Sequence, residues 1–269
     1  MDWTGHLGAH SHCIVMHRCV TLWIGDSLGP VERACLRSIA RHHGMVLYCY
    51  NDVRGVPDEV ELRDASEILP YETVTAPWCA RADLYSDWFR YELLRRGLGT
   101  WVDTDVYLLS PLDLESPYLF GIETTKYLNN AVFRAPAESS LLPRLLEPFL
   151  KRTTPKWMPW HKYAPRRLRE LLTGKVDLTD LPWGTTSPIA LSALARELGL
   201  THLAQPQERF YPVPWQEARW ILDPRIALGD VIGAGTVAVH LWNYCISSFK
   251  NEPAPSGSFL ERLHKEGGE

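Results

Sequence analysis

No apolar stretch in the chain reaches the roughly 18 residues that a membrane-spanning helix needs. The first residues, Met1 to His17, are polar and histidine-rich and lack the apolar core of a secretory signal. Cationic charge is not in excess: 28 Lys and Arg stand against 32 Asp and Glu, a formal net charge of -4. Nucleic-acid binding rests on a basic footprint, so that partner class is not expected. The six cysteines (Cys13, Cys19, Cys35, Cys49, Cys79, Cys245) contain no Cys-x-x-Cys pair and no even framework. They read as small apolar residues in a reducing compartment, which makes the cytoplasm the expected location. Internal repeats and low-complexity linkers are absent too. What remains is an ordinary globular composition, 45% hydrophobic over 269 residues, enough to bury a sizeable core.

The histidines His6, His10, His12 and His17 with Cys13 have the look of a metal tract. Zinc sites normally sit inside turns that fix their geometry, so residues 1–17 are read as a flexible leader, with Met16 an alternative start. Residues 18–250 are expected to form one folded domain. Residues 251–269, Pro/Gly/Ser-rich from Glu252 to Ser258, are expected to be a mobile tail with a short helix from Phe259 to His264.

Cys19 to Ile24 is a β-branched apolar run closed by Gly25-Asp26-Ser27, the pattern of a buried strand ending in a loop. Pro30 sits where a first helical turn tolerates it, Val31 to Arg41 has helical character, and Met45 to Tyr50 is a second strand. This β-α-β opening predicts an α/β fold with parallel pairing. Residues 51–79 read as loop-rich, with a short helix near Asp64 to Leu69. Ala80 to Arg96 is the strongest helix, stopped by Gly97 and Gly99, and Thr100 to Val106 is the next strand. Further strands are expected at Tyr118 to Glu123, Ala131 to Arg134 and Thr236 to Trp242. Further helices are expected at Ser139 to Lys151, Tyr163 to Leu172 and Pro188 to Leu198.

Chemistry concentrates between residues 80 and 112. Asp103 and Asp105 flank Thr104, and in a strand residues two apart share a face, so both carboxylates project together. Two adjacent carboxylates resist joint ionisation unless a cation joins them. A divalent ion answers that need, and oxygen ligands favour manganese or magnesium. On the preceding helix, Asp83, Asp87 and Arg90 fall in one narrow stripe at about 100° per residue. Leu84, Tyr91 and Leu94 lie beside the stripe, and Arg81, Glu92 and Arg96 form the expected solvent face. Charges next to an apolar surface need partners. The stripe is either an internal Asp-Arg lock or the wall of a polar ligand site beside the two aspartates.

Ser86 to Tyr91, followed by Leu98-Gly99-Thr100-Trp101-Val102-Asp103-Thr104-Asp105, resembles the "SDxxRYxxLxxxGGxYxDxD" signature of GT-A glycosyltransferases. The nearest resemblance is to the DXD-motif sugar-transferase family, which includes capsular polysaccharide enzymes and α-1,6-mannosyltransferases; the clostridial glucosylating toxins carry a more distant version. The resemblance implies an α/β, GT-A-like (Rossmann-like) domain with a central mixed sheet and flanking helices. It implies transfer of a sugar from a nucleotide-diphosphate sugar, a UDP-sugar by analogy, to a glycan or other hydroxyl acceptor with retention. Asp87 and Arg90 would contact the ribose and donor sugar, Asp103 the ribose and metal region, and Asp105 the Mn2+ or Mg2+ directly. Trp23 to Gly25 matches the uridine-binding turn, and Asn129-Asn130 the polar contacts to the donor sugar. His240-Leu241-Trp242-Asn243 resembles the "H-x-W" element that completes the metal or diphosphate shell. Thr186-Ser187-Pro188 resembles a "TGP" turn on the acceptor side, with Ser187 replacing its glycine; Leu98-Gly99 replaces the usual Gly-Gly.

The resemblance thus nominates Asp103, Asp105 and Arg90 for catalysis and Asp103, Asp105 and His240 for metal. It nominates Trp23, Gly25, Asp87, Arg90, Asp103, Asn129, Asn130 and Trp242 for the donor. The leaving phosphate would take the acceptor proton, so no side-chain base is named. The alternative reading is a non-catalytic nucleotide-sugar-binding scaffold of a polysaccharide biosynthesis system. A haloacid-dehalogenase-type phosphotransferase fits less well, because its DxD follows the first strand and Tyr107 stands where Thr or Val belongs. Among the tryptophans, Trp183 and Trp215 are the candidates for stacking on a sugar. Peripheral membrane contact remains open; Arg166, Arg167 and Arg169 read as a solvated helix face.

Overall fold

The computed structural model describes residues 18–268. The leader 1–17 and its histidines lie outside the described residues. The strands are β1 (Arg18–Leu22), β2 (Gly44–Cys49), β3 (Val60–Asp64), β4 (Thr100–Val102), β5 (Val106–Leu108), β6 (Leu119–Ile122), β7 (Leu128–Arg134) and β8 (Ala238–His240). Six of them form one mixed sheet in the order β3-β2-β1-β4-β7-β6, and β5 pairs with β8. The pairs β2·β3, β1·β2 and β1·β4 are parallel, whereas β7 runs antiparallel to both β4 and β6. The helices are α1 (Pro30–Ala40), α2 (Tyr71–Val74), α3 (Ala82–Arg95), α4 (Leu141–Lys151), α5 (Trp160–Thr173), α6 (Pro188–Glu197), α7 (Gln207–Phe210), α8 (Leu228–Val231), α9 (Asn243–Ile246) and α10 (Phe259–Glu266). The fold is α/β with a mixed central sheet, as expected.

β1 and β2 are almost wholly apolar because both faces of the sheet are covered. Alternation along the strands sends Cys19, Met45, Leu47 and Val102 into a core with α1 and α10. It sends Val20, Val46, Tyr48 and Trp101 into a second core with α3, α4 and α6.

Three expectations are corrected. The helix expected at 64–69 is the end of β3 followed by a short 3-10 turn, Ala65–Glu67. β3 is an edge strand whose outward residues, Glu61 and Arg63, pair with each other and with Arg18. A charged edge blocks further strand addition, and it also made the segment read as loop. Glu92 does not lie on a solvent face: it is buried under Arg95 and Arg96, which both donate to it. Finally, the expected mobile tail does not describe residues 259–266. Phe259, Leu260 and Leu263 recur at helical spacing and are buried against α1, with Phe259 stacked on Trp220 at 4.9 Å between ring centroids.

The chain leaves β1 in one direction through β2 and β3, then returns to place β4 on the other side of β1. Where strand order reverses in this way, the connections diverge and leave a crevice at the carboxyl ends of the two strands. Asp103 follows β4 directly at that crevice, and the start of antiparallel β7 brings Asn129 and Asn130 to the same end.

Candidate functional site

A cleft of about 710 Å³ opens at this crevice. Of the residues nominated from the sequence, Asp87, Arg90, Asp103, Asp105, Asn129, Asn130, His240 and Trp242 all line it. Trp23 and Gly25 do not; Thr21 and Leu22, just before them, do. The indole of Trp23 folds back over its own turn, with Nε1 3.2 Å from where a Gly25 side chain would begin.

The two aspartates converge, but not through strand alternation. β4 ends at Val102 and β5 begins at Val106, so residues 103–105 form a turn closed by the Val106 N–H donating to the Asp103 carbonyl at 3.1 Å. β5 then pairs with β8 in the register Val106↔His240, and the Leu241 N–H donates to the Asp105 carbonyl at 2.9 Å. That long-range register, 134 positions apart in the chain, sets His240 Nε2 3.2 Å from Asp105 Oδ2. Trp242 next takes a left-handed conformation (φ 59°), costly for a bulky residue, and its indole donates to the Val213 carbonyl at 2.8 Å. The turn delivers the Asn243 N–H to Asp105 Oδ2 at 2.6 Å.

Asp103 is gripped from the helix side. Arg90 Nη2 donates to its Oδ1 at 2.7 Å, and the Trp101 indole N–H donates to the same oxygen. Arg90 also lies 3.7 Å from Asp87 Oδ1 and 4.8 Å from the Trp101 ring centroid. Thr186 Oγ1 donates to Asp87 Oδ2 at 2.7 Å. A chain of bonds continues from the Asn130 amide to Tyr91 Oη (3.0 Å) and from Tyr91 to the Thr186 carbonyl (2.7 Å). Asn129 donates to Glu123 Oε2 at 2.8 Å and accepts from the Ala131 N–H at 2.7 Å. The sequence reading missed Trp101, Glu123 and the Asn243 N–H. Trp101, two positions before Asp103, was the only one with a local signal.

The electrostatics divide the carboxylates. Burial raises Asp87 to about 6 against the pull of Arg90 and Thr186. Burial also raises Asp103, with Asp105 adding to the effect and Arg90 opposing it. At Asp105 burial works the same way, but His240 and the Asn243 N–H overcome it and lower the carboxyl to about 2. His240 would lose its proton through burial, yet Asp105 and Asp103 hold its pKa above the ordinary imidazole value. Single ligand atoms of Asp103, Asp105 and His240 lie within 4.8 Å of one another, and His240 Nδ1 is buried without a hydrogen-bond partner. Two carboxylates and an imidazole are a donor set able to hold a divalent metal ion. Arg90 Nε is likewise buried without a partner.

No protein-family model matches the chain. Among curated proteins it is 26% identical over 244 residues to human lactosylceramide 4-alpha-galactosyltransferase, covering 84% of this chain and 61% of that protein. The chimpanzee enzyme (Pan troglodytes) is 26% identical over 240 residues with the same coverage. The gorilla enzyme is 26% identical over 238 residues, covering 84% of this chain and 66% of that protein. The chain thus spans less than two thirds of these relatives' length. Among solved structures, the PaToxG glycosyltransferase superposes with a TM-score of 0.41 at 10% identity, over 68% of this chain and 70% of that one.

Proposed function

We propose that the protein is a metal-dependent glycosyltransferase of the DXD-motif sugar-transferase type. It would move a sugar from a nucleoside-diphosphate sugar, a UDP-sugar, to a hydroxyl acceptor with retention. The observation that carries this reading is the convergence of Asp103, Asp105 and His240 with the Asp87–Arg90 pair in one cleft. The cleft wall carries Asp83, Asp87, Asp103, Asp105 and Glu123 against Arg90 and His240. A diphosphate does not enter so acidic a space without a cation to join the like charges. The distant relatedness to galactosyltransferases supports the reaction class.

Asp103, Asp105 and His240 would hold the metal. When bound, it supplies charge neutralisation for the departing diphosphate. The chain's own residues do the positioning. Arg90 is locked between Asp87 and Asp103, which fixes its guanidinium at the cleft wall. Asp105 is kept ionised by the Asn243 N–H and His240. Asp87 and Asn130 would face the ribose and donor sugar, held in fixed directions by the buried Thr186 hydroxyl and Tyr91 behind them, which replaces part of the entropy cost of reaction. The acceptor hydroxyl forms its bond to the anomeric carbon as the bond to the leaving phosphate breaks, and that phosphate takes the proton. Trp183, Trp215 and Tyr244 stand exposed on the cleft rim and supply faces for an acceptor sugar. The five described cysteines are free thiols, four of them buried, which supports a cytoplasmic location.

The test is a donor screen by mass spectrometry with manganese present, reading sugar released from UDP-, GDP- and other nucleotide sugars, since slow donor hydrolysis needs no acceptor. One donor turned over, with Asp105→Asn inactive but folded, supports the reading. Full turnover by that variant would remove the metal assignment.

A further inference from the structure

Among the described residues, nothing apolar packs against the outer face of helix α5. Among its residues only Glu170 is buried, and Trp160, Leu168, Leu171 and Leu172 are 76%, 59%, 67% and 79% exposed. At about 100° per residue these four fall within one arc of roughly 120°, with His161 the only polar side chain among them. That face points away from the sheet. Arg167 borders one edge of the arc, Arg169 and Lys162 lie beyond the other, and Arg166 sits on the opposite side of the helix. The surrounding segment sharpens the contrast: residues 151–175 carry eight Lys and Arg and a single acid, Glu170, in a chain whose formal net charge is -4.

We infer that α5 docks the protein on an anionic phospholipid bilayer, lying in the interface with its Trp/Leu face inserted and its cations toward the lipid headgroups. An exposed apolar arc flanked by Lys and Arg is the amphipathic arrangement that interfacial helices use, and the cationic flank adds attraction to an acidic leaflet. Scattered exposed leucines need no explanation; an aligned row on a solvent-facing helix does. The charge is what selects a membrane over a second copy of this chain: Arg167 and Arg169 are paired with Glu170 and Asp180, but Lys162 and Arg166 on α5 and Lys175 just after it have no carboxylate partner among the described residues, and a second copy would set these like charges against each other.

The position is also useful to the site. Arg166 donates to the Asp180 carbonyl at 2.9 Å, and Arg169 pairs with the Asp180 carboxylate at 2.9 Å. The Trp157 indole donates to the Thr185 carbonyl at 2.7 Å. These bonds tie the α5 region to the segment that supplies Trp183, Ser187 and Pro188 to the cleft. A docked α5 would hold that wall near the bilayer surface, where a lipid-linked hydroxyl acceptor is presented.

The experiment is sedimentation of the full chain with phosphatidylcholine vesicles and with vesicles containing about 30% phosphatidylglycerol, at low and high salt. The expected result is binding to the anionic vesicles only, weakened by salt. Leu168→Glu/Leu171→Glu should reduce it at least tenfold, and Lys162→Glu/Lys175→Glu severalfold. All four side chains are exposed, and an unchanged melting temperature shows that the variants fold. Absence of binding to anionic vesicles, or undiminished binding by the leucine variant, overturns the proposal. So does a dimer in sedimentation velocity that the leucine variant dissolves while vesicles capture nothing. The readout needs no turnover, so its failure is distinct from failure of the glycosyltransferase reading.

Discussion

Replacing Asp87 by asparagine gives a signed test of the cleft's electrostatics. The Asp87 side chain is 4% exposed, and its carboxyl rises from 3.8 to about 6, because burial outweighs Arg90 and Thr186. A folded-state pKa above the unfolded value means the native protein binds the proton more tightly. The contribution to stability is then full below about pH 4 and is lost as pH rises to about 6. A rise from 3.8 to about 6 is worth about 3 kcal/mol across the whole window. Between about pH 5 and about pH 7.5, where acid unfolding does not intrude, about 1.4 kcal/mol of that is lost. Asp87→Asn keeps an oxygen to accept from Thr186 but has no charge to bury. The stability difference, variant minus wild type, should therefore rise by about 1.4 kcal/mol over that interval, tenfold in the unfolding constant. Urea titrations at several pH values measure it, and groups common to both proteins cancel to first order. A flat difference, or one that falls with pH, would mean that Asp87 is ionised without cost and that Arg90 neutralises it fully.

Asp105→Asn should weaken manganese binding at least tenfold by calorimetry while shifting the melting temperature little, since the Asn243 N–H retains an oxygen acceptor. Gly99→Ala should cost about 2–3 kcal/mol in chemical denaturation: φ is +152°, and a Cβ would meet the Arg18 carbonyl oxygen at 2.7 Å and Val20 Cγ1 at 2.8 Å. Lys250→Met leaves the fully enclosed Glu32 carboxylate without its cation and should cost about 3–5 kcal/mol, with the Lys250→Met/Glu32→Gln double variant recovering most of it. Trp183→Ala should raise the acceptor KM severalfold and leave donor hydrolysis unchanged in a coupled release assay, since its ring is 69% exposed on the rim.

What could be read from the sequence was what local periodicity encodes. β1, α1, β2 and α3 were legible because burial on both faces, a Pro-started helix and a glycine stop are written within a few residues of each other. The Asp87–Arg90 stripe followed from helix geometry and does lie at a cleft. Features set by distant partners were hidden. The convergence of Asp103 with Asp105 was expected for the wrong reason, since the pair sits in a turn and owes its geometry to β8 across the β5 register. Glu92 looked solvent-facing because Arg96 was counted as an exposed neighbour rather than as a partner, and Arg95 was not counted at all. At α5 the arginines do lie on a solvated face, as expected, but the exposed apolar arc beside them was hidden, because periodicity does not report that none of the described residues packs against Leu168, Leu171 and Leu172. The errors share a cause. Helical and strand periodicity report which residues lie together on an element, but burial of that face depends on what the rest of the chain brings to it. At α3 the chain brings a sheet and two further helices, which force its charges into pairs. At α5 none of the described residues brings apolar cover to the outer arc, so that face stays exposed.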